Sequence, residues 1–153
     1  MTPAQFATGD ANAVELGVRF TADANGTISG LRFYKGTGNT GTHIGNLWTA
    51  TGTLLATATF TSETTSGWQQ VTFASPIAIN ANTTYVASYH TTVGNYGYDS
   101  AYFAATGVDN SPLHAPSNGV AGGNDVYAYG ATAFPTQTFN ATNYWVDVVF
   151  TGQ

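Results

Sequence analysis

Along most of the chain, β-branched and aromatic residues fall at alternate positions, and the pattern breaks at clusters of Gly, Asn and Pro. A period of two is that of an extended strand, whose successive side chains leave opposite faces. A helix cannot bury such a stripe, because its own apolar face recurs every three to four residues. The segment YWVDVVF at 144–150 shows the pattern well. Tyr144, Val146, Val148 and Phe150 share one face, and Trp145, Asp147 and Val149 the other. The first set is wholly apolar and is expected to face the core.

Seven or eight strands follow, near residues 15–21, 26–35, 42–49, 54–61, 67–73, 83–90, 126–129 and 144–151. Asn25-Gly26 and Thr51-Gly52-Thr53 mark tight turns. After Pro76, Ile77 and Ile79 should point inward before a turn at 80–82. Many short strands separated by short turns predict an all-β, antiparallel β-sandwich, of jelly-roll or immunoglobulin-like type. At 153 residues the chain is read as one domain spanning 1–153, with its core at about 14–151.

Charged residues make up 7% of the chain, against about 25% in an average soluble protein. Such a surface suits an extracellular setting, where salt and pH vary. The net charge is −5, and Arg19, Arg32 and Lys35 are the only Lys or Arg residues. Nucleic acids and anionic membranes need clustered cations, so both are disfavoured as partners. No apolar run approaches the ~20 residues of a spanning helix. There is no cysteine, hence no disulfide and no cysteine-based zinc site.

Several stretches are similar to a bacterial family of domains of unknown function, DUF4082. They are ELGVRF, ISGLRFYKGTGNTGTHIGNLW, GTLLATATF, GWQQVTF, NTTYVASYH, GVDNSPLHA and YWVDVVF, and they span Glu15 to Phe150. The resemblance implies a module of a large, secreted, multidomain bacterial protein, found beside immunoglobulin-like repeats and carbohydrate-active enzymes. It implies a carbohydrate-binding or surface-adhesion role.

The strand pattern fails between Gly94 and Gly130. This loop-rich segment holds five of the nine tyrosines, three of the six aspartates and no Lys or Arg. Exposed aromatics pack on the C–H face of a sugar ring, and Asp, Asn and His hydrogen-bond its hydroxyls. The candidate sugar-binding residues are therefore Tyr96, Tyr98, Asp99, Tyr102, Asn110, His114, Asn124, Tyr127 and Tyr129. Tyr96 with Tyr98, and Tyr127 with Tyr129, share faces in extended chain, so they can form a flat aromatic platform. The alternative is a tyrosine lid over the open end of the core. Packing is the expected role of each tryptophan, with Trp68 at the core edge; if one stands exposed for a sugar it is Trp145 or Trp48, which join the candidate sugar-binding residues.

Asp99, Asp109 and Asp125 lie in Gly- and Asn-rich sequence that suits a structural Ca2+, which takes six to eight oxygen ligands. The EF-hand spacing is absent. GTGNTG at 36–41 lacks the Gly-Lys-Ser/Thr ending of a phosphate loop, and is expected to be a connection with Lys35 and His43 solvated. Catalysis finds little support. Ser111 and His114 sit in SPLH, which is no nucleophile elbow. His43, His90 and His114 have no zinc-ligand spacing. The chain is thus read as a non-catalytic extracellular module that binds a polysaccharide or glycan. The runner-up is a structural or adhesive spacer of a surface protein, and a small glycan-active hydrolase stands a distant third.

Overall fold

The computed structural model describes all 153 residues. Two antiparallel sheets pack face to face as a β-sandwich. Its strands are β1 (Val14–Ala22), β2 (Gly26–Lys35), β3 (Ile44–Thr49), β4 (Leu54–Thr59), β5 (Gly67–Ile79), β6 (Tyr85–Thr91), β7 (Val108–Asn110), β8 (Leu113–Ala115), β9 (Asp125–Tyr129) and β10 (Val146–Gly152). A one-turn helix, α1 (Asn118–Ala121), precedes β9. The larger sheet runs β4-β3-β6-β1. The far edge of β1 is shared: β9 takes Val14–Val18, and β8 takes Thr21 and Ala22, with β7 outside β8. The smaller sheet is β10-β2-β5.

Alternation places Leu16, Val18 and Phe20 of β1 opposite Leu31 and Phe33 of β2, all buried. The two sheets meet most closely where Phe33 stacks on Tyr89 of β6, with ring centroids 4.1 Å apart and planes 19° from parallel. Phe60 meets the same Phe33 ring edge-on at 4.9 Å. Pro76 lies inside β5, which extends to Ile79. An edge strand tolerates proline because a missing N–H on its open side costs no ladder bond.

The last strand departs from the expected alternation. Tyr144 and Trp145 are both buried, because Trp145 has a left-handed backbone, with φ of 55°. That conformation resets the pleat, and regular pairing with β2 begins at Val146. The 94–130 segment is also more ordered than its composition suggested. It carries β7, β8, α1 and β9, and Asp99 pairs with Asn143 across a backbone bridge.

The outer face of the larger sheet is covered as well. Residues 130–139 fold back over it, laying Phe134 against Trp48 at 5.7 Å and Thr132 over Glu15. Glu15 is thereby fully buried. Its carboxylate accepts bonds from Ser88 Oγ (2.6 Å), Asn46 Nδ2 (2.9 Å) and Thr132 Oγ1 (2.8 Å). Loss of hydration pushes the Glu15 carboxyl above its ordinary range, and these three bonds only partly offset that shift.

Glu15 therefore binds its proton more tightly folded than unfolded, and stability falls as pH rises from the ordinary carboxylate range through the raised value. Glu15→Gln removes the buried charge, keeps an oxygen to accept from Ser88 and Asn46, and reverses the third bond so that its Nε2 donates to Thr132 Oγ1. It should raise the Tm at pH 7 by about 3 °C, for about 1 kcal/mol, and change it little below pH 4. Glu15→Ala strands three donors and should cost about 3 kcal/mol. Thermal melts of both variants at the two pH values check this.

Candidate functional site

A groove of about 560 Å3 opens beside β10, between that edge strand and the β7–β8 hairpin. Tyr34 N–H donates to the Trp145 carbonyl at 3.0 Å. The antiparallel alternation then turns Asp147 and Val149 toward β2, and Val146 and Val148 away from it. The free backbone edge of β10 thus faces the groove, and Val146 and Val148 line it. The Val148 N–H is already met by Asp147 Oδ1 at 2.8 Å.

The aromatic wall is built on the outer face of the smaller sheet. Trp68 stands opposite Tyr34 on β5 and retains 38% of its surface. Trp145 meets it edge-on at 6.2 Å, and Tyr102 meets Trp145 at 5.8 Å. The Trp145 indole N–H donates to Asp99 Oδ2 at 2.8 Å, which fixes the ring beneath the groove. The Arg32 guanidinium lies over Trp68, 5.3 Å from the ring centroid, and is ion-paired with Asp147. Its Nε has no protein partner.

The opposite rim is the β7–β8 hairpin. His114 Nδ1 lies 2.6 Å from Asp109 Oδ1, and its Nε2 lies 2.7 Å from Asp23 Oδ2 in the β1–β2 turn. Asn110 is exposed beside them. Hydrogen bonds to the two carboxylates raise the His114 pKa, with solvent screening both acids.

Of the residues singled out in the sequence, Tyr102, Asp109, Asn110, His114 and Trp145 line this groove. The others lie elsewhere. Trp48 and Trp145 are 8% and 6% exposed, so both pack as expected, and the open tryptophan is Trp68 in place of either of them. The flat platform is also absent. Tyr96 and Tyr98 meet at 69°, and Tyr127 and Tyr129 at 76°, both edge to face. Tyr96 packs edge-on against buried Tyr144. The Tyr129 hydroxyl donates to Asp10 Oδ2 at 2.6 Å. These rings form the lid that was the alternative reading. Asn124 is fully buried, accepting from Arg19 N–H at 3.0 Å and donating to the Pro116 carbonyl.

The three aspartates do not converge. Asp99 accepts from Trp145 and from Ala4 N–H, Asp109 pairs with His114, and Asp125 accepts from Asn118 Nδ2 and Phe139 N–H. No group of three His, Asp or Glu side chains is placed to hold a metal ion. The histidines are equally dispersed, with His90 bonded to the Gly130 carbonyl.

The 36–43 loop corrects a further expectation, because Lys35 and His43 are buried. Lys35 Nζ donates to Glu63 Oε2 at 2.8 Å, and His43 Nδ1 lies 2.9 Å from both Glu63 oxygens. Burial lowers the His43 pKa against the opposing pull of Glu63, so the ring is neutral and Nδ1 donates. Nε2 must then accept. It lies 2.8 Å from the Asn39 carboxamide, whose N and O exchange places by a half-turn of the side chain. Nδ2 toward the ring supplies the donor, and turns the amide oxygen toward the Tyr89 hydroxyl, which otherwise lacks a partner. The FYKG–NTGTH motif thus encodes a buried polar clamp.

The DUF4082 family model, described as a domain of unknown function, matches residues 1–146. The chain belongs to that family. No curated protein matches it. Within this DUF4082 domain, no helix is long and apolar enough to cross a membrane. The three cations of the domain sit at three separate places. Arg19 is bonded to the carbonyls of Ala121, Gly122 and Gly123, Arg32 is paired with Asp147, and Lys35 with Glu63.

The burial pattern has an optical consequence. Acrylamide should quench mainly Trp68. Trp68→Phe should remove most of the quenchable fluorescence, and Trp48→Phe should leave it nearly unchanged. Stern–Volmer plots of the three proteins measure this.

Proposed function

We propose that this DUF4082 domain is a non-catalytic carbohydrate-binding module whose site is the groove beside β10. The observation that carries the reading is Trp68, an open indole at the mouth of a groove with polar groups on both rims. In this mechanism the C–H face of a sugar ring packs on Trp68. Arg32, Asp147, Asn110 and Asn143 exchange hydrogen bonds with its hydroxyls. The dispersal of Arg19, Arg32 and Lys35 supports neutral glycans over polyanions. Both nitrogens of His114 are engaged by carboxylates, which supports a binding role over general-base catalysis. A surface-exposed module of a larger secreted bacterial protein is the setting this chemistry suits.

One observation favours the adhesive reading. The free edge of β10 offers backbone groups to an added strand of a partner protein. Calcium has no part in the proposed mechanism, since each candidate carboxylate already has protein donors. EDTA should leave the Tm unchanged.

Affinity electrophoresis against neutral polysaccharides tests the reading. Retardation is expected, and Trp68→Ala should weaken it about tenfold or more, the effect of ~1.4 kcal/mol. Tyr129→Ala, in the tyrosine lid, should leave it intact. A domain that migrates freely through every neutral polysaccharide would sink the proposal.

A further inference from the structure

The β7–β8 hairpin is a short wall that packs Val108, Leu113 and Ala115 on the core and has few backbone or polar ties to the rest of the fold. Only Thr21 and Ala22 of β1 pair with β8, at His114 and Leu113. One further backbone bond, from Asp23 N–H to the Pro112 carbonyl at 2.9 Å, holds the hairpin tip. The remaining polar tie is His114 itself. Its ring touches Asp109 on its own hairpin and Asp23 on the β1–β2 turn, at 2.6 and 2.7 Å.

Both partners are carboxylates, and an ionised carboxylate only accepts hydrogen bonds. An imidazole donates from both nitrogens only when it carries two protons. A singly protonated ring donates to one acid and turns a lone pair toward the other, which repels it. The charged groups facing His114 are Asp109 from β7 and Asp23 from the β1–β2 turn. Both favour the imidazolium, and no cation opposes it there.

We propose that His114 is a pH-sensitive clasp on the groove. Its doubly protonated ring ties the β7–β8 wall to the β1–β2 turn, and loss of one proton releases one carboxylate and loosens that wall. The inference names the regulation of the site proposed above, and rests on that reading for its bearing on ligand binding.

The direction of the pH dependence follows from the geometry. The clasp favours the proton in the folded state, so the His114 pKa is raised. The stabilisation is fully present below the ordinary histidine value of about 6.5 and is lost as pH rises through the raised value. The wall is therefore firm below about pH 6.5 and loosens as pH rises through the raised value. Because Asp23 and Asp109 are mostly exposed, added salt should weaken the effect.

An NMR titration of the wild-type domain tests the clasp without any sugar. The His114 ring protons should titrate above about 6.5, and the backbone amides of Val108–Asn110 and Leu113–Ala115 should shift with the same midpoint. Asp109→Asn and Asp23→Asn should each move that midpoint down. A His114 midpoint at or below the ordinary value overturns the proposal. So do hairpin amides that stay still through its titration. In the presence of a retained polysaccharide, affinity should fall through the same midpoint, and His114→Phe should abolish that pH dependence. Binding that ignores pH removes the clasp and leaves the sugar reading standing. A proper titration with no polysaccharide bound removes the sugar reading and leaves the clasp.

Discussion

The sandwich is organised around the stack of Phe33 on Tyr89. Phe33 lies toward the end of β2, the middle strand of the smaller sheet, and Tyr89 sits on β6, between β3 and β1 of the larger one. Their parallel contact sets the spacing of the two layers where they are closest. His43 and Phe60 both pack on Phe33, at 4.8 and 4.9 Å, so the loop before β3 and the residue after β4 take their positions from the same ring. The polar clamp of Lys35, Glu63, His43 and Asn39 is the rim of this contact. A buried charge pair contributes little net stability over an apolar equivalent, but it admits few alternative arrangements. Here it fixes the long β2–β3 connection against the core.

The larger sheet is buried on both faces, an unusual demand for antiparallel strands. Its inner face meets the smaller sheet, and its outer face is roofed by residues 130–139. Trp48, Val86 and Val126 form a small second core under Phe134. Glu15 lies in this roofed layer. Its three hydrogen bonds join β1, β3, β6 and the roof, which gives the covering segment a defined seat.

Much of this architecture is written in the period-two pattern. All eight expected strands exist, and Asn25-Gly26 and Thr51-Gly52-Thr53 stand at turns between them. The failures have physical causes. YWVDVVF reads as one continuous strand, yet a left-handed residue at Trp145 breaks the pleat, and periodicity carries no sign of φ. Lys35 and His43 look like solvated loop residues. Their partner Glu63 lies a whole hairpin away, and a tertiary pairing leaves no local signal. β7 and β8 are three residues each, too short for any alternation to register. The groove leaves as little local trace. Its open tryptophan is on β5, far in sequence from the tyrosine-rich 94–130 segment that supplies the opposite rim.

Those tyrosines and Trp68 differ in what the fold asks of them. Tyr96 and Tyr144 are driven up in pKa chiefly by burial, and the Tyr129 phenol is held up chiefly by its bond to Asp10. The Tyr96 and Tyr144 rings are thus spent within the lid; Tyr129 keeps 52% of its surface, but its hydroxyl is tied to Asp10 and its edge-to-face packing on Tyr127 leaves no flat pair to a ligand. Trp68 is placed otherwise. Its neighbours Tyr34 and Trp145 approach by T-shaped contacts, and its indole N–H reaches the Met1 carbonyl at 3.2 Å. The N-terminal segment covers only part of this face, with Phe6 against Tyr34 at 6.2 Å and Met1 beside Trp68, and leaves the Trp68 ring open. The outer face of the larger sheet carries a roof, whereas that of the smaller sheet has only this partial cover at its open tryptophan. That asymmetry, more than the count of aromatics in any segment, locates the surface at which a partner gains most by binding.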